Sequence, residues 1–207
     1  MTRQTILFQD PKEHKLFDLF GFGSIDYYPS FFEPNESDRY LNTLLNKIAW
    51  RQDKINIIGK KVDLPRLTAW YGDEGFNYTY SGIKMDPLPW NDDLLKIKEL
   101  IEPIANISFT SVLLNLYRYG NDSVAWHADD EKEIDKKSPI ASVSFGAIRD
   151  FQLKHKQDKT LERIDIPLAH GSLLLMQPPT QEYWLHQLPK RKRVIDPRIN
   201  LTFRVIT

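Results

Sequence analysis

His127-Ala128-Asp129 is a short stretch of this sequence whose residue types and spacing could do chemistry. In an extended backbone, residues two apart point to the same side, so an imidazole and a carboxylate can aim at one point while Ala128 faces away. Two histidines and one carboxylate on one face of an octahedral ion leave positions open, the arrangement of non-haem Fe(II) oxygenases. A lone His-x-Asp suits a polar turn on a solvated surface equally well, and two more acids, Asp130 and Glu131, follow directly. The pair acquires meaning only with a third ligand.

Four other histidines are available. His14 lies in a charged leader, His155 in "LKHKQDK" reads as a solvated hairpin tip, and His170 beside Gly171 reads as the cap of a turn. His186 follows the aromatic run "EYWL" in a segment expected to be a buried strand. It is the best third ligand, with a satisfied core histidine as the competing explanation. A second constellation lies near the C-terminus. In "PRINLTFRVIT", Arg198, Asn200, Thr202 and Arg204 share one face of a strand, and Ile199, Leu201, Phe203 and Val205 share the other. Turning two guanidinium groups, an amide and a hydroxyl inward is costly unless an anion satisfies them. Arginine forks suit carboxylates, and two along one strand suit a dicarboxylate. A solvent-facing strand explains the same alternation. "LLNLYRY" adds Asn115, Tyr117 and Tyr119 on one side, neutral hydrogen-bonding groups fit for an oxygen-rich small molecule.

Elements must position these groups. "PNESDRYLNTLLNKIAW" has helical spacing through Leu41, Leu44, Leu45, Ile48 and Ala49, with Asn35 or Ser37 as the expected cap. "NDDLLKIKELIEPIAN" predicts a second helix capped by Asn91, with Leu94, Ile97, Ile101 and Ile104 on one face. Both helices are expected to cover a sheet. After Thr110 the pattern turns to period two in short runs bounded by Gly, Pro and Asp, among them "SVLLNLYRY", "IASVSFG", "IRDFQLKH", "ERIDIPL", "GSLLLMQ", "EYWLH" and "RINLTFRVI". No helix-length segment separates these runs, which favours an antiparallel sandwich or jelly roll over parallel winding.

Composition bounds the function. At 207 residues and 41% apolar, the chain can bury one substantial core. Basic and acidic residues balance at 28 each, so a polyanion must be held by a local patch rather than by bulk charge. The absence of cysteine excludes disulfides, zinc thiolate sites and a cysteine nucleophile. No stretch approaches the roughly 20 apolar residues that span a bilayer. The chain is expected to be intracellular and monomeric, cytoplasmic in a bacterium or nuclear in a eukaryote, with no membrane partner.

Together these residues resemble the AlkB family of Fe(II)- and 2-oxoglutarate-dependent dioxygenases. The resemblance rests on His127-x-Asp129, His186, Asn115-x-Tyr117, and Arg198, Asn200 and Arg204, which resemble the family's Arg-x-Asn…Arg pattern. It runs from about Leu64 to the C-terminal end. "PRLTAWYGD", "YTYSG", "SPIASVSFGAIRDF" and "LAHGSLLLM" resemble the animal branch that repairs alkylated double-stranded DNA. The family implies a mainly β chain with flanking helices: a double-stranded β-helix, or jelly roll, with an N-terminal helix and a substrate-recognition lid. It implies one domain, with residues 1–63 as an N-terminal helical and lid extension, 64–109 as a nucleotide-recognition segment and helix, and 110–207 as the catalytic core. It further implies Fe(II) held by His127, Asp129 and His186, with 2-oxoglutarate and O2 as co-substrates. The 2-oxoglutarate contacts carry over to Asn115, Tyr117, Arg198, Asn200, Thr202 and Arg204. The implied reaction is oxidative demethylation of 1-methyladenine or 3-methylcytosine in DNA, releasing formaldehyde, succinate and CO2. The same chemistry on RNA and a non-catalytic jelly-roll binding module are the alternatives.

An enzyme that works on a base must take it out of the helix, and a flipped base needs stacking surfaces. "WYGDEGFNYTY" holds five aromatics, Trp70, Tyr71, Phe76, Tyr78 and Tyr80. Tyr78 and Tyr80 are assigned as the base platform, with a hairpin packed by its own rings as the alternative. Ser81 and Arg66 resemble residues lining the family's entrance. By the same resemblance Asp130 approaches the exocyclic amine and cationic ring of the damaged base, while Glu131 stands between pocket rim and solvated loop. Lys190, Arg191, Lys192 and Arg193 form a local patch suited to phosphates. "INIIGKKVD" resembles the hairpin that fills the gap left by the flipped base, with Ile58 where an aromatic wedge is usual; a branched aliphatic residue can still unstack a step. Double-stranded DNA is the favoured partner and single-stranded DNA the alternative.

Overall fold

Period-two segments build the sheets of this protein, and their ladders are antiparallel. The computed structural model describes residues 13–57, 59–75, 78–80, 83–85 and 87–207, excepting the side chains of 56, 57, 78–80 and 83–85. Strands β1 (Lys15–Asp18) and β2 (Ser24–Tyr28) precede helix α1 (Pro34–Lys47). β3 (Lys54–Ile57) and β4 (Lys60–Asp63) form a hairpin, and β5 (Leu67–Gly72), β6 (Tyr78–Tyr80) and β7 (Ile83–Met85) lead to α2 (Asp92–Ala105). The chain continues through β8 (Ser111–Tyr117), β9 (Val124–His127), β10 (Ile140–Gly146), β11 (Arg149–His155), β12 (Ile164–Leu168) and β13 (Ser172–Gln177). A single turn, α3 (Thr180–Tyr183), precedes β14 (Trp184–Leu188) and β15 (Arg198–Arg204).

Two sheets face each other. The larger has the order β1-β2-β13-β10-β15-β8-β5, and the smaller β12-β11-β14-β9. Leu113, Ile140, Leu174 and Met176 of the larger sheet pack against Phe151, Leu153, Ile166, Leu168 and Trp184 of the smaller. This is the jelly roll. A second apolar cluster lies on the outer side of the larger sheet, where Tyr40 and Leu44 of α1 and Leu94, Ile97 and Ile101 of α2 cover Leu114, Val143, Ile199, Leu201 and Phe203. Both helices therefore cover the sheet, as their spacing predicts. Each fully buried aliphatic or aromatic side chain there stabilises by about 1.5–3 kcal/mol. Among the described residues no helix is long and apolar enough to cross a membrane.

Several local expectations change. Asn91 caps α2, its side chain accepting the Leu94 N–H at 3.0 Å. Neither Asn35 nor Ser37 caps α1: the cap position is Glu33, whose side chain does not bond to the first-turn N–H groups, and Pro34 opens the helix. Proline presets the helical φ and lacks an N–H that would go unbonded there. Residues 15–28, expected within a helical and lid extension, supply β1 and β2 of the larger sheet, and β5 joins it ahead of Thr110. "EYWL" is not all strand, since Glu182 and Tyr183 belong to α3. β8 ends at Tyr117, so Tyr119 leaves the Asn115 face and is exposed; Asp122 turns the chain there by accepting from the Arg118 backbone at 2.9 Å and from its Nε at 2.7 Å. His155 is no solvated hairpin tip. It is buried beneath Phe22, Tyr183 and Trp184, and its Nδ1 accepts the Asp158 N–H at 2.8 Å.

Candidate metal and co-substrate site

The smaller sheet brings two of the expected ligands together by register. His127 ends β9 and His186 sits mid-β14, and the two are cross-strand partners with ring centroids 4.2 Å apart. Asp129 follows β9 by two residues. His127, Asp129 and His186 each offer one ligand atom, and these atoms all lie within 4.8 Å of one another. His127 Nδ1 lies 2.8 Å from Ala125 O, which can only accept, so Nδ1 carries the proton and Nε2 presents its lone pair. Nε2 stands 3.7 Å from Asp129 Oδ1. That oxygen is buried and accepts no hydrogen bond among the described residues. A buried carboxylate oxygen left unbonded beside two imidazoles is what a cation-binding donor set requires, and nitrogen–oxygen sets of this kind suit Fe(II).

Charge and burial are arranged to keep His186 and Asp129 deprotonated. Burial, then the neighbouring His127, pushes His186 down to about 3. For Asp129, burial works against ionisation but loses to Arg204, His186 and His127, which together hold the carboxyl well below its ordinary range. Arg204 Nη2 donates to Asp129 Oδ2 at 2.8 Å. The remaining histidines are structural: His170 Nδ1 accepts the Gly146 N–H at 2.8 Å, and His14 pairs with Asp26.

Strand β15 turns its polar face inward. Arg198, Asn200, Thr202 and Arg204 are all buried and line one cavity with Asn115, Tyr117 and the three metal-ligand candidates. A solvent-facing β15 is thus excluded. Arg198 donates to Ser144 Oγ at 2.9 Å and lies over Tyr117, 5.3 Å from its ring centroid. Burial pushes this guanidinium down to about 10, still protonated at neutral pH. No carboxylate of the described residues pairs with it, so an anion is the missing counter-charge, and a dicarboxylate reaching toward the metal fits. Asn200 is used by the scaffold: its amide donates to Ser142 Oγ at 2.8 Å, and its carbonyl accepts Thr202 Oγ1 at 3.0 Å.

The other expected residues divide. Arg66 is buried rather than at an entrance, donating to Asn115 Oδ1 at 2.7 Å inside the same cavity. Asp130 is exposed and pairs with Lys156. Lys190, Lys192 and Arg193 are exposed, whereas Arg191 is tied to Asp150 Oδ2 at 2.7 Å. The side chains of Tyr78, Tyr80, Ser81 and Ile58 lie outside the described residues. Trp70 and Tyr71 are core.

Sequence reasoning missed Ser142, Ser144, Arg149 and Gln181. The serines alternate with Ala141, Val143 and Phe145, a period-two signal that would have found them. Arg149 is buried, donates to Asp122 O and Pro189 O, and places a second guanidinium 5.8 Å from the Tyr117 ring. Gln181 Oε1 accepts the N–H of Asp129 at 2.9 Å, a link across 52 residues of chain that no local pattern announces.

A jelly roll whose two sheets enclose a His, Asp, His donor set beside a buried arginine strand defines an iron-dependent oxygenase site that takes an oxo-acid co-substrate. The chain belongs to the 2OG-Fe(II) oxygenase superfamily, whose family model matches residues 24–204, and within it to the AlkB family. It is 42% identical over 188 residues to the DNA oxidative demethylase ALKBH2 of Mus musculus, covering 86% of this chain and 79% of that protein. It is equally 42% identical, over 198 residues, to the alpha-ketoglutarate-dependent dioxygenase alkB homolog 3 of Homo sapiens, covering 90% of this chain and 67% of that protein. The solved structure of OsALKBH1 shares the fold at a TM-score of 0.61 and 14% identity, covering 92% of this chain and all of that one. The chain is therefore an enzyme that uses Fe(II), 2-oxoglutarate and O2.

Proposed function

We propose that this enzyme is a DNA oxidative demethylase acting on N-alkylated bases of the 1-methyladenine and 3-methylcytosine type, as an intracellular monomer and a single domain. The observation that carries the reading is one buried cavity holding His127, Asp129 and His186 together with Arg198 and Arg204. Relatives named for DNA oxidative demethylation support the choice of substrate.

Iron with 2-oxoglutarate and O2 supplies the oxidising power that hydroxylates the N-methyl carbon, after which the hydroxymethyl group leaves as formaldehyde. The protein's part is positioning. Ala125 O fixes the His127 ring so that Nε2 faces inward. Arg204 neutralises Asp129 and orients one oxygen away, leaving Oδ1 for the metal. Arg204, paired with Asp129, would hold one carboxylate of 2-oxoglutarate, and Arg198, lying over Tyr117, would hold the other. Arg66 holds Asn115 to this wall. Tyr78, Tyr80 and Ser81 receive the flipped base, with Asp130 at its polar edge. Lys190, Lys192 and Arg193 contact phosphates, and Ile58 is the wedge that favours double-stranded over single-stranded DNA.

Anaerobic addition of Fe(II) and 2-oxoglutarate should give a metal-to-ligand absorption band in the wild type and none in Asp129→Ala. Formaldehyde should then be released from a methylated duplex on admitting air. A missing band, or full turnover in Asp129→Ala, overturns the reading. Matched DNA and RNA strands compared for turnover separate the two nucleic acids.

A further inference from the structure

Asp130 and Lys156 form an ion pair, and neither residue lines the cavity that holds the metal-ligand candidates and the arginine strand. Asp130 directly follows Asp129, and its side chain is 55% exposed. Lys156 Nζ donates to Asp130 Oδ2 at 2.8 Å and to Gln181 O at 2.9 Å. The lysine stands one residue past β11, where its own N–H donates to Tyr183 O at 2.7 Å, so α3 fixes the backbone that carries it. Gln181 in turn takes the N–H of Asp129. Lys156, Asp130 and Gln181 line a cavity of about 480 Å³ that also touches Asp129 and Met176, both shared with the co-substrate cavity.

We propose that Lys156 is a specificity-determining residue: by pairing with Asp130 it limits how strongly the mouth of the site favours cationic methylated bases over neutral ones. The inference rests on the demethylase reading above. A methyl group on N3 of cytosine leaves a positively charged ring at neutral pH, whereas a methyl group on N3 of thymine leaves a neutral one. A carboxylate alone beside the metal attracts the first and does nothing for the second. Paired with an ammonium, it offers almost no net charge to either, so the preference is muted and the accepted range of lesions widens. Removing the lysine makes this corner more acidic, and the hydrogen bonds of Lys156 Nζ go to Asp130 and Gln181 rather than to a metal-ligand candidate.

The test compares kcat/KM on two DNA oligonucleotides of one sequence, carrying either 3-methylcytosine or 3-methylthymine. Lys156→Met removes charge and donor; Lys156→Gln removes the charge but keeps an N–H for Gln181 O. Both should raise the cationic-to-neutral ratio about fivefold, the size expected for a partly exposed charge pair, and Lys156→Arg should return it to within about twofold of wild type. In an Asp130→Asn background, Lys156→Gln should leave the ratio unmoved. A ratio unchanged in both neutral variants overturns the proposal. So does an equal loss on both substrates, which is what a purely structural strap would give. Wild-type enzyme releasing formaldehyde from neither oligonucleotide instead sinks the demethylase reading itself, and this inference with it.

Discussion

Arg204, the last residue of β15, holds Asp129 from 2.8 Å, so a co-substrate strand and a metal-ligand loop are joined by one buried ion pair. Loss of one partner leaves the other charge without water, at a cost of about 3–5 kcal/mol. Arg204→Met should lower the stability of metal-free protein by about that amount, read from the urea midpoint. Arg204→Lys keeps the charge but loses the fork, and should weaken 2-oxoglutarate binding about tenfold in an anaerobic titration. Unchanged affinity would remove Arg204 from the co-substrate site.

His186 ties stability to pH. Its folded value of about 3 lies below the ordinary 6.5, so between these limits the unfolded chain binds the extra proton. The stability it contributes is complete above the ordinary value and is lost as pH falls toward the folded one. Asp129, also depressed, adds its loss at still lower pH. Metal-free protein should therefore weaken steadily on acidification below about pH 6.5, and His186→Asn should flatten that slope in denaturant titrations at stepped pH. Equal slopes in the two proteins would contradict this.

The basic loop should divide by salt dependence. Lys190, Lys192 and Arg193 have no carboxylate partner among the described residues, whereas Arg191 is held by Asp150. Each phosphate contact on a duplex contributes about 0.9 to the slope of log affinity against log salt. Replacing the three exposed residues with alanine should lower the slope by about 2 to 3, and Arg191→Ala by less than about 1. Fluorescence anisotropy at several salt concentrations distinguishes these outcomes.

Gly120 seats the same loop. A Cβ there would come within 1.8 Å of Arg191 O, and the glycine exchanges backbone bonds with Val194 O and Arg191 N, both at 2.7 Å. Gly120→Ala must push the loop away, at a cost of about 1–3 kcal/mol. DNA affinity should fall while 2-oxoglutarate binding holds. Loss of both in parallel would mean that the strain spreads into the core.

Much of the site was readable because its signals are local. Spacing of two put His127 with Asp129, and Arg198 with Asn200, Thr202 and Arg204, on common faces; the Asn91 cap and the α2 stripe were equally legible. Longer-range facts were not. β1 and β2 are short strands inside a charged leader, and they are held by pairing with each other and with β13 and by burying Ile25 and Tyr27 in the core between the sheets, all partners distant in sequence. The same limit hid His155, which is buried by Phe22, more than a hundred residues earlier.

The sequence by itself determined the chemical inventory and the alternation: a His-x-Asp, a partner histidine, and a strand polar on one side and apolar on the other. It left open which side of that strand met water, because period two is the same for a solvated edge and a lined cavity. Only the tertiary structure decided it. α1 and α2 cover Ile199, Leu201 and Phe203, the smaller sheet closes over Arg198 and Arg204, and guanidinium groups shut away from water need an anion beside them. The joining of Lys156 to Asp130 and of Gln181 to Asp129 was likewise settled by how the sheets and α3 meet, since partners 26 and 52 residues apart share no local pattern.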